Sequence, residues 1–186
     1  AEEALRASEA RFRAVFEQAA VGIAKLDASG AFLRANPKLC AMLGYEEAEL
    51  CTLRYPAITH PDHAESDREL HRQLLSDPAP AVEFGKRLLR KDGTTLWANV
   101  TISRADIDEP FYIAVIEDIS ARKAAEAKLR ASEERGRLFV EHAPSSIALF
   151  DREMRYLAAS RRYVEDMRLG DQPLIGRCHY DVFPGI

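Results

Sequence analysis

The chain has 186 residues, of which 47% are hydrophobic and 30% are charged, and its formal net charge is −4. This composition is ordinary for a globular protein, and the mild negative charge disfavours nucleic-acid binding, which needs a basic patch or stripe. No apolar run approaches the roughly 20 residues that span a bilayer. Three cysteines, Cys40, Cys51 and Cys178, share no CxxC spacing and imply neither disulfides nor a metal site. We therefore expect a cytoplasmic protein without a metal.

A segment near the N-terminus occurs a second time, 124 residues later. Residues 5–11 have the sequence LRASEAR, residues 129–135 have LRASEER, and 14 of 32 positions are identical between residues 5–36 and 129–160. Self-similarity at a fixed spacing indicates two copies of one structural module. The second copy has only residues 143–186 beyond its helix, so we expect it to be truncated and the natural chain to continue past both ends.

The first copy is predicted to begin with a helix over residues 2–19. Its apolar residues form one stripe at helical spacing, which consists of Leu5, Phe12, Val15, Phe16 and Ala19. Two short strands, residues 21–26 and 32–35, flank the turn signal Asp27-Ala28-Ser29-Gly30. This pattern predicts a helix that leads into a β-hairpin.

Helices are predicted to follow the hairpin. Asn36 is a suitable N-cap, Pro37 suits the first helical position, and Gly44 ends this short helix. A longer helix is predicted from His60 to Ser76, and the proline-rich residues Asp77-Pro78-Ala79-Pro80 bound it.

The period then changes to two. Residues 82–90 and 95–104 are predicted to form a hairpin around Lys91-Asp92-Gly93, because Asp-Gly between alternating runs is a strong hairpin signal. Residues 111–116 are apolar on both faces, which predicts a central strand of the sheet. Two strands, several helices and three more strands indicate an α+β fold with an antiparallel sheet.

The order of these elements and their motifs resembles the PAS family of sensory domains over residues 12–120. The matching motifs are Ala20-Val21-Gly22-Ile23, Asp27-Ala28-Ser29-Gly30, Ala35-Asn36-Pro37, Leu43-Gly44-Tyr45, His60-Pro61-Asp62, Arg90-Lys91-Asp92-Gly93-Thr94 with Trp97, and Asp118-Ile119-Ser120-Ala121-Arg122-Lys123. The second copy adds Leu174-Ile175-Gly176-Arg177 and Tyr180-Asp181-Val182-Phe183-Pro184. The resemblance implies a five-stranded antiparallel sheet with short helices on one face, enclosing a small pocket. It also implies a role upstream of an output domain, such as the histidine kinase of a two-component system or a diguanylate cyclase.

With this resemblance the chain is expected to divide into four parts. These parts are an N-terminal flanking helix (1–19), a complete PAS domain (20–119), a long helical, coiled-coil-like signalling linker (120–142) and the start of a second, truncated PAS domain (143–186).

The alternation of side chains along the strands and the resemblance together nominate a pocket. Its candidate residues are Phe84, Lys86, Leu88, Val100, Tyr112, Ile116 and His71. A packed core is the favoured interpretation, and a small apolar ligand with a polar group near Tyr112, Lys86 or His71 is the alternative. A buried lysine is costly unless it is paired, so Lys86 is either an anion contact or, as we favour, a surface residue of an edge strand.

Cofactors are judged against the relatives that the resemblance suggests. In PAS haem sensors a histidine lies seven residues after the proline that opens the long helix; here that position is Arg68, which cannot ligate iron because it stays protonated. His71 is then the alternative haem ligand. In flavin-binding light sensors the reactive cysteine position corresponds to Tyr55, and the flavin-binding amides correspond to Leu88 and Ile116. We therefore expect no cofactor.

The linker is predicted to be a continuous helix from Ala121 to about Ala143, with Ser120 as its N-cap. Residues spaced alternately by four and three form a weak coiled-coil seam, namely Ala125, Leu129, Ser132, Gly136, Phe139 and Ala143. The resemblance implies a parallel homodimer through this seam and assigns signal transmission to Asp118, Ile119, Ser120, Ala125 and Leu129.

The sheet face opposite the pocket is predicted to need a cover, because it carries Trp97, Phe111, Ile113 and Val115. The helix with Phe12 and Phe16, from this chain or a partner, is the candidate cover and dimer surface.

Three functions compete at this point. The first is a non-enzymatic module that senses, dimerises and relays a signal to an output domain. The second is a haem- or flavin-bearing gas, redox or light sensor. The third is part of a catalytic histidine kinase, since Glu141-His142-Ala143-Pro144 is similar to a phosphoacceptor region. The repeat aligns His142 with Gln18, and no nucleotide-binding glycine motif is present, so we expect no catalysis and assign no catalytic residue.

Overall fold

The computed structural model describes residues 2–76, 81–107 and 109–184 of the chain. The predicted boundary at Asp77-Pro78-Ala79-Pro80 and the side chain of Leu5 in the predicted stripe lie outside what is described. The chain divides into two compact units, residues 1–123 and 124–186.

The first unit contains the helices and strands of one complete domain. They are α1 (Glu2–Gln18), β1 (Gly22–Leu26), β2 (Phe32–Ala35), α2 (Pro37–Leu43), α3 (Glu47–Leu50), two 3-10 turns (Tyr55–Ile58 and Pro61–His63), α4 (Ala64–Ser76), β3 (Val82–Leu89), β4 (Thr95–Ile107) and β5 (Glu109–Asp118). The chain continues as α5 (Ser120–Glu141), β6 (Ala148–Phe150), β7 (Tyr156–Ala159), α6 (Arg161–Asp166) and α7 (His179–Val182). Among the described residues, no helix combines the length and hydropathy needed to cross a bilayer.

The sheet of the first unit has five antiparallel strands in the order β2-β1-β5-β4-β3. The α+β fold predicted from the sequence is therefore confirmed, with β5 at the centre, as its two apolar faces predict. Val100 on β4 lies opposite both Phe84 on β3 and Ile116 on β5. Because neighbouring residues in register point to the same face of a sheet, these three side chains form a row across one face.

Asn36 holds the start of α2 against β1 and α1. Its side-chain Oδ1 accepts hydrogen bonds from the amides of Leu39 (2.9 Å) and Ile23 (2.8 Å), while Nδ2 donates to the carbonyls of Phe16 and Val21, each at 3.0 Å. The first bond is the predicted N-cap. The other three explain why a polar side chain with no exposed surface is stable there.

The hydrophobic core of the first unit lies between the sheet and the helices that follow β2. Leu39, Leu43 and Leu50 from α2 and α3 are fully buried against sheet residues such as Leu88 and Leu96. Thr59 pairs with Leu88 in an isolated bridge, so the segment before α4 runs along the outer edge of β3. This segment protects an edge that would otherwise expose unpaired backbone groups, and it brings Thr59 next to the interior face.

The opposite face of the sheet is only partly covered. In α1, Phe16 is 8% exposed while Phe12 is 70% exposed, and α1 contacts α2. Phe12 therefore does not cover the sheet in this chain. Trp97 is 36% exposed, and Ile113 is half-buried.

The second unit contains the two-stranded sheet β6-β7 and a small aromatic core. Tyr156 is fully buried, and its hydroxyl lies 3.1 Å from the Tyr163 hydroxyl and 2.8 Å from His179 Nδ1. Burial raises the pKa of Tyr156, and the hydrogen bond with Tyr163 raises it further.

Candidate functional site

A cavity of about 50 Å³ lies between the sheet of the first unit and α4. Every pocket residue nominated from the sequence lines it: Phe84, Lys86, Leu88, Val100, Tyr112, Ile116 and His71. Six of these come from β3, β4 and β5, where alternate side chains point to one face, and His71 comes from α4. The structure thus brings the nominated residues together, whereas their role in ligand binding stays a prediction.

Lys86 points into the protein and is 6% exposed. Its Nζ lies 2.5 Å from Asp67 Oδ2 and 3.3 Å from Thr59 Oγ, and the Thr59 hydroxyl donates to the same carboxylate oxygen at 2.8 Å. Asp67 is 5% and Thr59 4% exposed. The interpretation of Lys86 as a surface lysine of an edge strand is therefore wrong: the segment carrying Thr59 covers that edge, and the ammonium has a buried partner of its own.

Two of these three residues, Thr59 and Asp67, were missed by the sequence reasoning. A signal for Asp67 was present, because Asp67, Leu70, His71 and Leu74 follow helical spacing and share one face of α4. All four line the cavity. Thr59 has no comparable signal, since its position depends on how an irregular segment crosses the edge of β3.

Electrostatics and aromatic rings define the polar end of the cavity. Burial lowers the pKa of Lys86, and the negative charge of Asp67 partly offsets this effect. The rings of Tyr55 and Phe84 lie 5.5 and 5.4 Å from Lys86 Nζ, within cation–π range. Burial also raises the pKa of Tyr55, and Asp67 adds to that rise.

His71 belongs to an aromatic group at the cavity. Its ring centroid lies 5.5 Å from that of Tyr55 and 6.4 Å from that of Tyr112. Arg68, at the position of the haem ligand in related sensors, is exposed. The cavity volume of about 50 Å³ is well below the roughly 300 Å³ of ordinary cofactor and drug-sized pockets.

The end of β5 and the start of α5 are bonded to β4. The Ile119 amide donates to the Trp97 carbonyl at 2.8 Å, and the Trp97 amide donates to Ser120 Oγ at 2.9 Å. The Ser120 amide donates to Asp118 Oδ1 at 2.8 Å, and Asp118 also pairs with Arg90 at 3.7 Å. Ser120 is the first residue of α5, and its hydroxyl binds β4 in place of the predicted N-cap role.

The remaining transmission residues lie further along α5. Ala125 and Leu129 are exposed, and Leu129 has 62% of its surface accessible. Of the 22 residues of α5, all of them described, none is buried. The seam residues within α5, from Ala125 to Phe139, therefore form a stripe open to solvent, whereas Ala143 lies beyond the end of the helix and is half-buried.

A metal site and a phosphoacceptor histidine are the two other kinds of site considered from the sequence. No group of three or more histidine, cysteine, aspartate or glutamate side chains there could hold a metal ion. His142 is exposed and follows the end of α5, where its amide donates to the Leu138 carbonyl.

Comparisons with known proteins agree with this geometry. Two family models, both described as the PAS fold, match residues 10–119 and 140–186. The chain is 35% identical over 129 residues to the sensor histidine kinase TmoS of Ectopseudomonas mendocina, covering 68% of this chain and 13% of that protein. It is 32% identical over 122 residues to the probable diguanylate cyclase DgcE of Escherichia coli K12, covering 64% of this chain and 11% of that protein. Among solved structures it resembles the PAS domain of an HTR-like protein from Haloarcula marismortui, with a TM-score of 0.56, 28% identity, and coverage of 63% of this chain and 97% of that chain.

Proposed function

Because the chain belongs to the PAS family of sensory domains, we propose that it is a non-enzymatic module that relays occupancy of its cavity through α5. The module dimerises in parallel through the α5 stripe, and the signal reaches an output domain in the same protein. The chain spans 13% and 11% of the kinase and the cyclase that it resembles. A histidine kinase or diguanylate cyclase output, in the cytoplasm, is part of the proposal.

One observation carries this proposal: β4 belongs both to the cavity and to the start of α5. Val100 lines the cavity. Three residues earlier, the Trp97 carbonyl accepts from the Ile119 amide and the Trp97 amide donates to the Ser120 hydroxyl. A ligand shifts a conformational equilibrium only by its differential affinity for the two states. A wall that is continuous with the helix start gives occupancy a direct effect on α5.

The exposed stripe of α5 supports dimerisation. Leu129 and Phe139 are 62% and 78% exposed and fall on the predicted seam, at spacings that a coiled coil would bury. Ser132 and Gly136 on the same seam weaken it. A weak seam suits a switch, whose two states must lie within a few kcal/mol of each other.

The test is disulfide cross-linking across the proposed seam. Cysteine is introduced at Leu129 in a background where Cys40, Cys51 and Cys178 are alanine, and Ala127, on the outer side of the helix, is the control position. We expect rapid cross-linking of the L129C variant and little of the A127C variant. A protein that stays monomeric by light scattering at every concentration, with equal cross-linking at both positions, would refute the dimer.

The relay is tested by filling the cavity without a ligand. Ala114 is 3% exposed and lines the cavity, so Ala114→Val occupies part of the space. We expect this variant to change the cross-linking rate of L129C. Thr101→Val is the matched control, because Thr101 lies on β4 with its side chain on the face of the sheet away from the cavity. It should leave the cross-linking rate unchanged. Equal rates for both variants and the parent would contradict the relay.

The proposal also holds that the module carries neither haem nor flavin. The support is the cavity volume of about 50 Å³ and the exposed arginine at the haem-ligand position. An absorbance spectrum of freshly purified protein between 250 and 700 nm tests this point. A visible haem or flavin band would favour the cofactor-sensor alternative, with His71 as the first residue to replace.

A further inference from the structure

We propose that the buried cluster of Thr59, Asp67 and Lys86 makes the cavity selective for small uncharged molecules with one hydrogen-bond acceptor and an apolar body. This inference rests on the proposed ligand-sensing function and adds the chemical class of the ligand. Short-chain ketones represent that class. Carboxylates and ammonium ions of the same size are rejected.

The charge balance of the cluster is the first argument. Lys86 and Asp67 form a close pair at 2.5 Å, and both are almost fully buried. The pair is electrically neutral as a unit. An uncompensated charge in a protein interior is strongly unfavourable, so an anionic or cationic ligand beside the intact pair would add the charge that the pair avoids.

The hydrogen-bonding capacity of Lys86 is the second argument. A lysine ammonium has three donors and no acceptor. Within the described residues, Asp67 Oδ2 and Thr59 Oγ accept from Nζ, which accounts for two of the three donors. The remaining donor is suited to a ligand oxygen, and the rings of Tyr55 and Phe84 lie within 5.5 Å of Nζ.

The size and lining of the cavity set the rest of the ligand. Leu88, Val100 and Ile116 provide an apolar wall on the sheet side. The volume of about 50 Å³ holds roughly four water-sized probes, at 10–15 Å³ each. A molecule of about five non-hydrogen atoms is therefore the expected scale.

Three probes with five non-hydrogen atoms each test this selectivity: butan-2-one, propanoate and butylammonium. Dissociation constants are measured by NMR titration of the whole chain at constant ionic strength. We expect butan-2-one to bind at least tenfold more tightly than either ion. Preferential binding of propanoate to the parent protein would overturn the inference and make Lys86 an anion site, while leaving the sensing function intact.

Charge variants sharpen the test. Asp67→Asn leaves Lys86 without its counter-charge, so propanoate should bind this variant at least tenfold more tightly than the parent. Glu65→Gln, an exposed position in the same helix, removes the same charge from the surface and should leave propanoate binding unchanged. Equal propanoate affinity of both variants and the parent would contradict the role of the pair.

Two further results bear on the inference. If Asp67→Asn does not fold, the double variant Asp67→Asn with Lys86→Met replaces it, because it contains no unpaired charge. The parent should bind butan-2-one more tightly than the hydrocarbon butane, and the double variant should lose most of this preference. An unchanged preference would overturn the inference. If the folded parent binds none of the three probes, the ligand class is wrong, and the cross-linking experiments still decide the sensing function separately.

Discussion

Three of the four side-chain hydrogen bonds of Asn36 in the first unit are repeated by Ser160 in the second unit. Asn36 Oδ1 accepts from the amides of Ile23 and Leu39, and its Nδ2 donates to the Val21 carbonyl. At positions 124 residues further on, Ser160 Oγ accepts from the amides of Ile147 and Tyr163 and donates to the Ser145 carbonyl. Both side chains are fully buried. The serine hydroxyl and the asparagine amide thus satisfy equivalent backbone groups where a strand meets the next helix.

This equivalence predicts how the first unit tolerates substitution at Asn36. Asn36→Ala removes the helix cap and leaves buried backbone groups unpaired, so we expect a loss of about 2–4 kcal/mol in the free energy of unfolding. Asn36→Ser should lose less, because serine serves this junction in the second unit. Denaturant unfolding followed by Trp97 fluorescence reports on the first unit alone, since the chain has one tryptophan. Equal losses for the two variants would contradict the equivalence.

The buried pair of Asp67 and Lys86 is expected to couple strongly in a double-mutant cycle. Asp67→Leu alone leaves a buried lysine unpaired, and Lys86→Met alone leaves a buried carboxylate unpaired, so each should cost about 3–5 kcal/mol of unfolding free energy. Replacing both residues together, by Asp67→Leu and Lys86→Met, should cost far less, because it removes both charges from the interior. The same Trp97 unfolding assay measures all variants. Additive effects of the two single changes would show that the residues do not interact.

How far the site follows from the sequence depends on the range of the interaction. The inward direction of Phe84, Lys86 and Leu88 could be predicted, because a period of two fixes which side chains share a face of a strand. The pairing of Lys86 with Asp67 could not, because it joins β3 to a residue 19 positions away on a helix whose docking is set by the whole core. The burial of Lys86 could not be predicted for the same reason, since the segment with Thr59, which lies outside the sheet, covers the edge of β3.

The helix α1 shows the same limit. Its amphipathic stripe predicts a helix with a buried side. The structure has the helix at Glu2–Gln18, but Phe12 and Val15 of the stripe are exposed there and Phe16 is buried. The sequence pattern does not say which surface that side meets. Asn36 fixes the position of the helix end, because its Nδ2 donates to the Phe16 carbonyl. Phe16 is buried there, while Phe12, one turn earlier, is exposed.

Stability should depend on pH through Lys86. Its pKa in the folded protein is lowered from the model-peptide value of 10.5 by burial. At a pH between the folded and the unfolded pKa of Lys86, the unfolded chain binds more protons than the folded chain. The contribution of Lys86 to the unfolding free energy therefore rises with pH in that window, and it is lowest below the folded pKa. We expect the unfolding free energy of the parent, minus that of Lys86→Met, to increase as pH rises toward 10.5.

Subtracting the Lys86→Met values removes the titration of groups elsewhere in the chain. Asp67 and Tyr55 lie beside the ammonium, and His71 lines the same cavity. Burial raises the pKa of Tyr55 above its ordinary value of 10.0. Measurements between pH 8 and 10 therefore lie below the pKa of Tyr55 in the folded protein. A difference that falls with rising pH would mean that the attraction of Asp67 outweighs burial.

The junction between β4 and α5 gives the last prediction. Ser120→Ala removes the hydroxyl that accepts from the Trp97 amide, leaving Ile119 as the bond partner of Trp97 in this turn. We expect a loss of about 1 kcal/mol in unfolding free energy and faster amide exchange in the first turn of α5. Hydrogen exchange followed by mass spectrometry measures the second effect.

Ser132→Ala is the matched control for this prediction, because Ser132 is an exposed serine within the same helix. It should leave exchange in the first turn unchanged. If Ser120→Ala also leaves that exchange unchanged, the hydroxyl does not hold α5 to β4, and the path from the cavity would have to run through the Asp118–Arg90 pair. If exchange rises only in the Ser120 variant, the helix start is held by the strand whose other residues line the cavity. Occupancy of the cavity would then act on α5 through Trp97.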